Sequence, residues 1–304
     1  MIHIEGRIPK LLVLVGFCLL FGGIFAIAGL ALLKPLFGLS IENAAVLMSD
    51  SSGKGNINAL KFLQLFNTIG LFVFPSILFI LLFYKNPLDE IRLNKSLTLT
   101  NVLGIVLLYI SLMPLINYMV LLNGQMQLPE AFSAVEQWMR AAEEKAADLT
   151  KVFLEMNSTA DLLFNLFLIA VLPAVGEELL FRGIIQRTIN KGLRNKHIGI
   201  WISAILFSAL HMQFFGFFPR LFLGAFFGYL LLWTGSLWAP ILAHFLNNGT
   251  AVVLNYVLDK QTLEKEVDQL GASEGTFAYS IVAVFIFSTL CYFFYQYNKK
   301  SRNF

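Results

Sequence analysis

The 304-residue chain is 57% hydrophobic and only 13% charged, with a net charge of +3 and a mean hydropathy of +0.71. Soluble domains are about a quarter charged, so polar side chains cannot cover this surface and most of the protein must face lipid. Its basic residues are spread over short connections rather than gathered in one stripe, which excludes a nucleic-acid footprint.

Eight segments approach the roughly 20 apolar residues that a membrane-spanning helix needs: 11–33, 62–84, 99–122, 161–186, 197–213, 217–233, 237–258 and 276–297. The first is longer than a signal-peptide core of about 7–15 residues, and no small-residue cleavage site follows a short core, so it is expected to remain as a span. Cys18 and Cys291 lie in apolar runs near opposite ends of the chain and read as small hydrophobes rather than a disulfide.

Between the third and fourth segments, 129–157 differs in kind. Phe132, Val135, Trp138, Met139, Ala142, Ala146, Leu149, Val152, Phe153 and Met156 recur every three or four residues among charged ones. That is an amphipathic helix, expected at the outer interface or packed over the bundle. The fourth to sixth segments are interrupted by polar residues and glycines.

Lys and Arg favour the cytoplasmic side. With eight spans, the basic start, the 85–95 connection, the 187–196 connection and the tail fall on one side, and the net-acidic connections 123–160 and 259–275 on the other. Arg220 is a mild exception. The expected fold class is therefore all-α: a polytopic membrane helix bundle of about eight transmembrane helices with one amphipathic interfacial helix. It forms a single domain over 1–304, with a catalytic core in 161–258 and both termini cytoplasmic.

The fourth segment contains "VGEELLFRG". An ionisable group at mid-bilayer costs at least about 2.5–3.5 kcal/mol, so such groups are paired or functional. Glu178 and Arg182 are four residues apart, share a helical face and can form an ion pair; Glu177 is rotated about 100° away and is the free carboxylate. A purely structural Glu–Arg lock is the plainer reading of this stretch alone. Two of the four histidines, however, also fall inside later spans: His211 in "FSALH" and His244 in "HFLNN", with Asn248 one turn after His244.

Counting 1.5 Å per residue, Glu177 lies about 15 Å, His211 about 21 Å and His244 about 10 Å from the cytoplasmic side, so the three can share one layer. Pro173 cannot donate to the carbonyl of Ile169 and is expected to kink the helix one turn before Glu177. A buried carboxylate that activates water, an imidazole beside it, and donors for a developing oxyanion are what amide hydrolysis requires. His197 and His3 fall at membrane edges and read as solvated. The motifs GxSG, HExxH and GxGD are absent, which argues against rhomboid-type, zincin-type and presenilin-type proteases.

"EELLFR", "FSALH" and "HFLNN" resemble, in order and spacing, the motifs EExxxR, FxxxH and HxxxN of the CAAX-protease and bacteriocin-processing family, which includes the Ras-converting CAAX endopeptidase. The likeness covers residues 175–249. It implies an intramembrane endopeptidase in which Glu177 and His211 activate water, His244 and Asn248 bind the oxyanion or help hold a metal, and Glu178 and Arg182 are structural. Family members have been described both as metalloproteases and as glutamate proteases. A divalent metal such as Zn²⁺ would draw on Glu177, His211 and His244, donors that suit it.

The implied substrate is a peptide or protein, prenylated or otherwise membrane-associated, cut near the cytoplasmic side of a membrane taken to be the bacterial inner membrane. Two other classes fit the same polar core: a non-catalytic scaffold or bacteriocin-immunity protein, and a transporter relaying protons through buried Glu and His.

Overall fold

The computed structural model describes residues 6–43, 56–258, 262–273 and 275–302; His3 lies outside them. Among the described residues every regular element is helical. In chain order these are α1 (Arg7–Phe37), α2 (Ile57–Phe83), α3 (Leu99–Gly124), the amphipathic α4 (Ser133–Phe153), α5 (Thr159–Asn190), α6 (His197–Leu210), α7 (Phe217–Thr234), α8 (Trp238–Val257) and α9 (Phe277–Arg302). The bundle is thus all-α and polytopic.

Each of the eight expected spans corresponds to one helix, but among the described residues only six helices are long and apolar enough to cross a membrane. The exceptions are α6 and α8. Helix α6 has 14 residues, about 21 Å at 1.5 Å per residue, against a hydrocarbon core of about 30 Å. It ends at Leu210, with His211 as its C-terminal cap, and Leu210 and Met212 on either side of that cap are exposed. Helix α8 has 20 residues, but His244, Asn247, Asn248 and Asn255 dilute its apolar character.

Two large apolar cores form, beside smaller clusters between α1 and α2 and between α6 and α7. One gathers residues of α1, α2 and α5, including Leu14, Phe79, Phe181 and Ile184. The other gathers α3, α7 and α9, including Leu108, Phe227 and Phe294. Helix α8 serves both, through Ile241 in the first and Ala239 and Ala243 in the second. In lipid, helices are held by close packing and polar contacts rather than by apolar transfer. Accordingly, small residues sit at the crossings. A Cβ on Gly176 would lie 2.8 Å from Val73 of α2, and one on Gly224 would lie 3.2 Å from the Ala204 backbone of α6.

Helix α4 packs over the turn after α6. Trp138 meets Phe214 at 5.2 Å, Arg140 stands 4.3 Å over the Phe215 ring, and Glu143 accepts the Phe215 N–H at 3.2 Å. At its start, Glu136 accepts the Leu128 N–H at 2.8 Å and pairs with Arg140 at 2.7 Å. These two partners, the backbone N–H foremost, hold the Glu136 carboxyl below the ordinary carboxylate range. A depressed carboxylate contributes above its unfolded value and is lost as pH falls through its folded one. Protection of the Leu128 amide, corrected for intrinsic exchange, should therefore persist at neutral pH and collapse only below the usual Glu range.

Candidate active site

Helix α5 is not a regular α-helix. Leu166–Val171 and Leu179–Gln186 are π turns, flanking the α-helical stretch Leu172–Glu178 that carries both glutamates. Such turns accommodate helix irregularities and cluster at functional sites. Pro173 follows the first and has no N–H for the Ile169 carbonyl. Asn248 of α8 supplies one instead, its Nδ2 donating to Ile169 O at 3.1 Å. The proline and the last motif residue are thus two halves of one contact. Asn247 in turn donates to Asn248 Oδ1 at 3.0 Å.

The expected ion pair is present. Arg182 Nη1 donates to Glu178 Oε1 at 2.8 Å with both side chains fully buried. Arg182 Nη2 donates to Gly224 O of α7 at 2.7 Å, and the guanidinium stands 4.7 Å over Phe207 and 5.3 Å over Phe227. Cation–π contacts of this kind strengthen where water is excluded.

Glu178 does more than pair with arginine. His244 Nδ1 lies 2.9 Å from the same Oε1, and its ring stacks on Phe227 at 5.2 Å with an 18° interplanar angle. A carboxylate on one ring nitrogen fixes an imidazole's orientation and directs the other nitrogen outward. The purely structural role expected for Glu178 and Arg182 is incomplete for this reason: they form the support on which His244 is oriented. Helical spacing within one segment could not reveal a bond between residues 178 and 244.

His211 is oriented independently. Its Nδ1 lies 2.7 Å from Phe207 O, so that nitrogen carries the proton and Nε2 is left as an acceptor. The turn beyond it is closed by Met212 at φ 53, a left-handed conformation usually given to glycine. His211 and His244 flank one phenyl ring, with centroids 5.0 Å and 5.8 Å from that of Phe207. The phenylalanine of FxxxH therefore serves three groups: it accepts from His211, packs edgewise on His244 and covers Arg182.

Glu177 is 8% exposed, and its Oε2 is buried with no hydrogen-bond partner. It is within electrostatic reach of His211, but no direct bond joins them. A buried carboxylate oxygen without a protein donor is where a water molecule belongs.

Among the described residues, no three His, Cys, Asp or Glu side chains come together as a metal-binding group, although the Nδ1 contacts of both imidazoles leave each Nε2 available as a ligand. Glu177, His211 and His244 are thus not gathered as a three-ligand centre. Outside the site, His197 is exposed but pairs with the Tyr229 hydroxyl at 2.8 Å, and Cys18 and Cys291 are both free.

The Asn248–Ile169 contact can be probed directly. Asn248→Ala should cost about 1–3 kcal/mol by removing the donor to a carbonyl that Pro173 cannot serve. Asn248→Asp, which keeps the shape but not the N–H, should cost at least as much. Denaturant or thermal unfolding in detergent measures both.

Residues 159–250, the segment that holds all of these groups, match the family described as Type II CAAX prenyl endopeptidase Rce1-like. The uncharacterized protein YpbD of Bacillus subtilis (strain 168) is 29% identical over 117 residues, 37% of this chain and 55% of that protein. The chain thus matches only about half the length of that curated relative. No solved structure matches.

Proposed function

We propose, from the premise that the Rce1-like segment of this chain makes it a member of the CAAX-protease family, that the protein is an intramembrane endopeptidase hydrolysing a peptide bond with water activated by Glu177. The observation that carries this reading is the contrast between adjacent carboxylates. Both carry a buried Oε2 with no partner, but Glu178 is anchored through Oε1 by Arg182 and His244 and is 0% exposed, whereas Glu177 has no such anchor and is 8% exposed.

The chemistry follows from the proton positions. A water held between Glu177 and His211 Nε2 gives its proton to the Glu177 carboxylate as its oxygen attacks the scissile carbonyl. His244, with Nδ1–H on Glu178, offers Nε2 to the forming oxyanion; when protonated, it donates a hydrogen bond there, and the Glu178 carboxylate behind the ring stabilises that charge. Asn248 has one amide hydrogen engaged by Ile169 and a second free to assist. Collapse of the tetrahedral intermediate breaks the C–N bond, and the proton taken by Glu177 passes to the leaving amine.

The substrate is a membrane-associated peptide or protein, prenylated or not, cut near the side of the bilayer that carries the basic connections. That side is taken as cytoplasmic from its lysines and arginines, in a bacterial inner membrane. The test is hydrolysis in H₂¹⁸O by the full chain in lipid, with a panel of membrane-anchored peptides read by mass spectrometry. The new C-terminal carboxylate should carry one ¹⁸O. If no peptide is cut while Glu177 variants leave a cellular phenotype intact, the scaffold or immunity reading takes its place.

A further inference from the structure

Away from the active site, at the opposite end of the bundle from α4, lies a cavity of about 790 Å³. Arg7 and Lys10 reach it from the start of α1, and Arg92 and Lys95 from the α2–α3 connection. Arg187, Lys191 and Lys196 reach it from the end of α5 and the turn beyond. These seven cations face one carboxylate, Glu90. Among the described residues none of the seven forms an ion pair, and only Lys196 has a side-chain hydrogen bond, to Asn190 O at 2.9 Å.

Like charges converging in a concave site repel one another and raise a strong local potential. A fold that sets seven of them against the single carboxylate of Glu90 leaves most of that potential for an external anion. The sequence conceals this feature, because the cations come from segments far apart along the chain and read singly as ordinary basic connections.

We propose that this cavity binds a phosphate-bearing anion, with the headgroup of an anionic phospholipid as its membrane source. Arginine forks and lysine ammonium groups suit phosphate oxygens, and basic pockets between helices on the cytoplasmic side of a membrane hold such headgroups. Tyr84 and Thr188 add hydroxyl groups to the lining. Leu231 and Leu232 of α7 line one side and suit the glycerol and first acyl carbons. The cavity shares α5 with the active site, since Gln186 and Arg187 line it one turn beyond Arg182. Occupancy therefore braces the end of the helix that carries Glu177.

The test uses the full chain in detergent, titrated with phosphatidylglycerol, with phosphatidylcholine, or with inorganic pyrophosphate, and read by native mass spectrometry and thermal unfolding. Phosphatidylglycerol should bind and raise the melting temperature, phosphatidylcholine should do neither, and the effect should weaken as salt rises from 0.05 to 0.5 M. Lys95→Gln with Lys191→Gln should weaken binding about 30-fold, whereas Lys145→Gln with Lys151→Gln on α4 should leave it unchanged. Stabilisation by pyrophosphate but not by phosphatidylglycerol would assign the same site to a soluble phosphate. Equal affinity for the two lipids with no effect of pyrophosphate, salt-independent binding, or undiminished binding by the Lys95/Lys191 variant would overturn the proposal. The wild-type salt series decides the matter even if that variant fails to fold.

Discussion

Replacing Glu177 by glutamine should lower the hydrolytic rate by at least about 10³-fold while leaving the melting temperature unchanged or higher. Glutamine keeps the shape of the side chain and removes its basicity. General-base catalysis contributes about 10²–10⁴-fold, and the loss should sit towards the upper end because the attacking water has no second carboxylate to turn to. Glu178 is committed to Arg182 and His244 through Oε1. The stability arm runs the other way. A carboxylate 8% exposed, with a buried oxygen lacking a donor, carries a desolvation cost that a neutral amide reduces. A merely structural acid would give the reverse pattern, with a lower melting temperature and activity falling only as far as the folded fraction. Retention of more than a tenth of the wild-type rate by well-folded Glu177→Gln would remove this residue from the chemistry.

The parts of this architecture legible in the sequence were those set by local periodicity. Apolar runs marked all eight helices to within a few residues, and the charge alternation at 129–157 marked α4. The i, i+4 spacing identified the Glu178–Arg182 pair because both groups lie on a single helix, where geometry follows from counting. What spacing could not supply was contact between helices. The bond from His244 to Glu178 joins residues 66 apart, and the one from Asn248 to Ile169 spans 79.

One signal for the second contact was nevertheless present. A proline at position 173 inside a membrane helix leaves the Ile169 carbonyl without its usual donor, and a buried asparagine on another span is a natural replacement. The π turns escaped because a 3.6-residue pattern tolerates an inserted residue without obvious disruption. The short reach of α6 escaped because nothing in His211–Gln213 marks a helix end by composition, whereas Met212, at φ 53, closes the turn there.

The Glu178–Arg182–His244 cluster yields the second large effect, and here stability and activity should separate. Arg182→Met alone removes the main counter-charge of a carboxylate that is 0% exposed, and breaking a buried pair from one side costs about 3–5 kcal/mol. The variant should accumulate poorly and unfold at markedly lower denaturant concentration. Adding Glu178→Leu removes the stranded charge. Apolar replacement of both partners is often close to neutral, so the double variant should recover most of the lost stability. Its activity should stay at least about 10–100-fold below wild type, the usual cost of losing a partner that orients a functional histidine. His244 would still stack on Phe227, but nothing would fix which ring nitrogen carries the proton. If the double variant regained both stability and full rate, Glu178 would be a packing element and His244 would not depend on it. If it regained neither, the charge pair would be holding α5, α7 and α8 together in a way that apolar contacts cannot replace. Recovery of the fold without recovery of the rate is the result that assigns Glu178 and Arg182 to positioning His244.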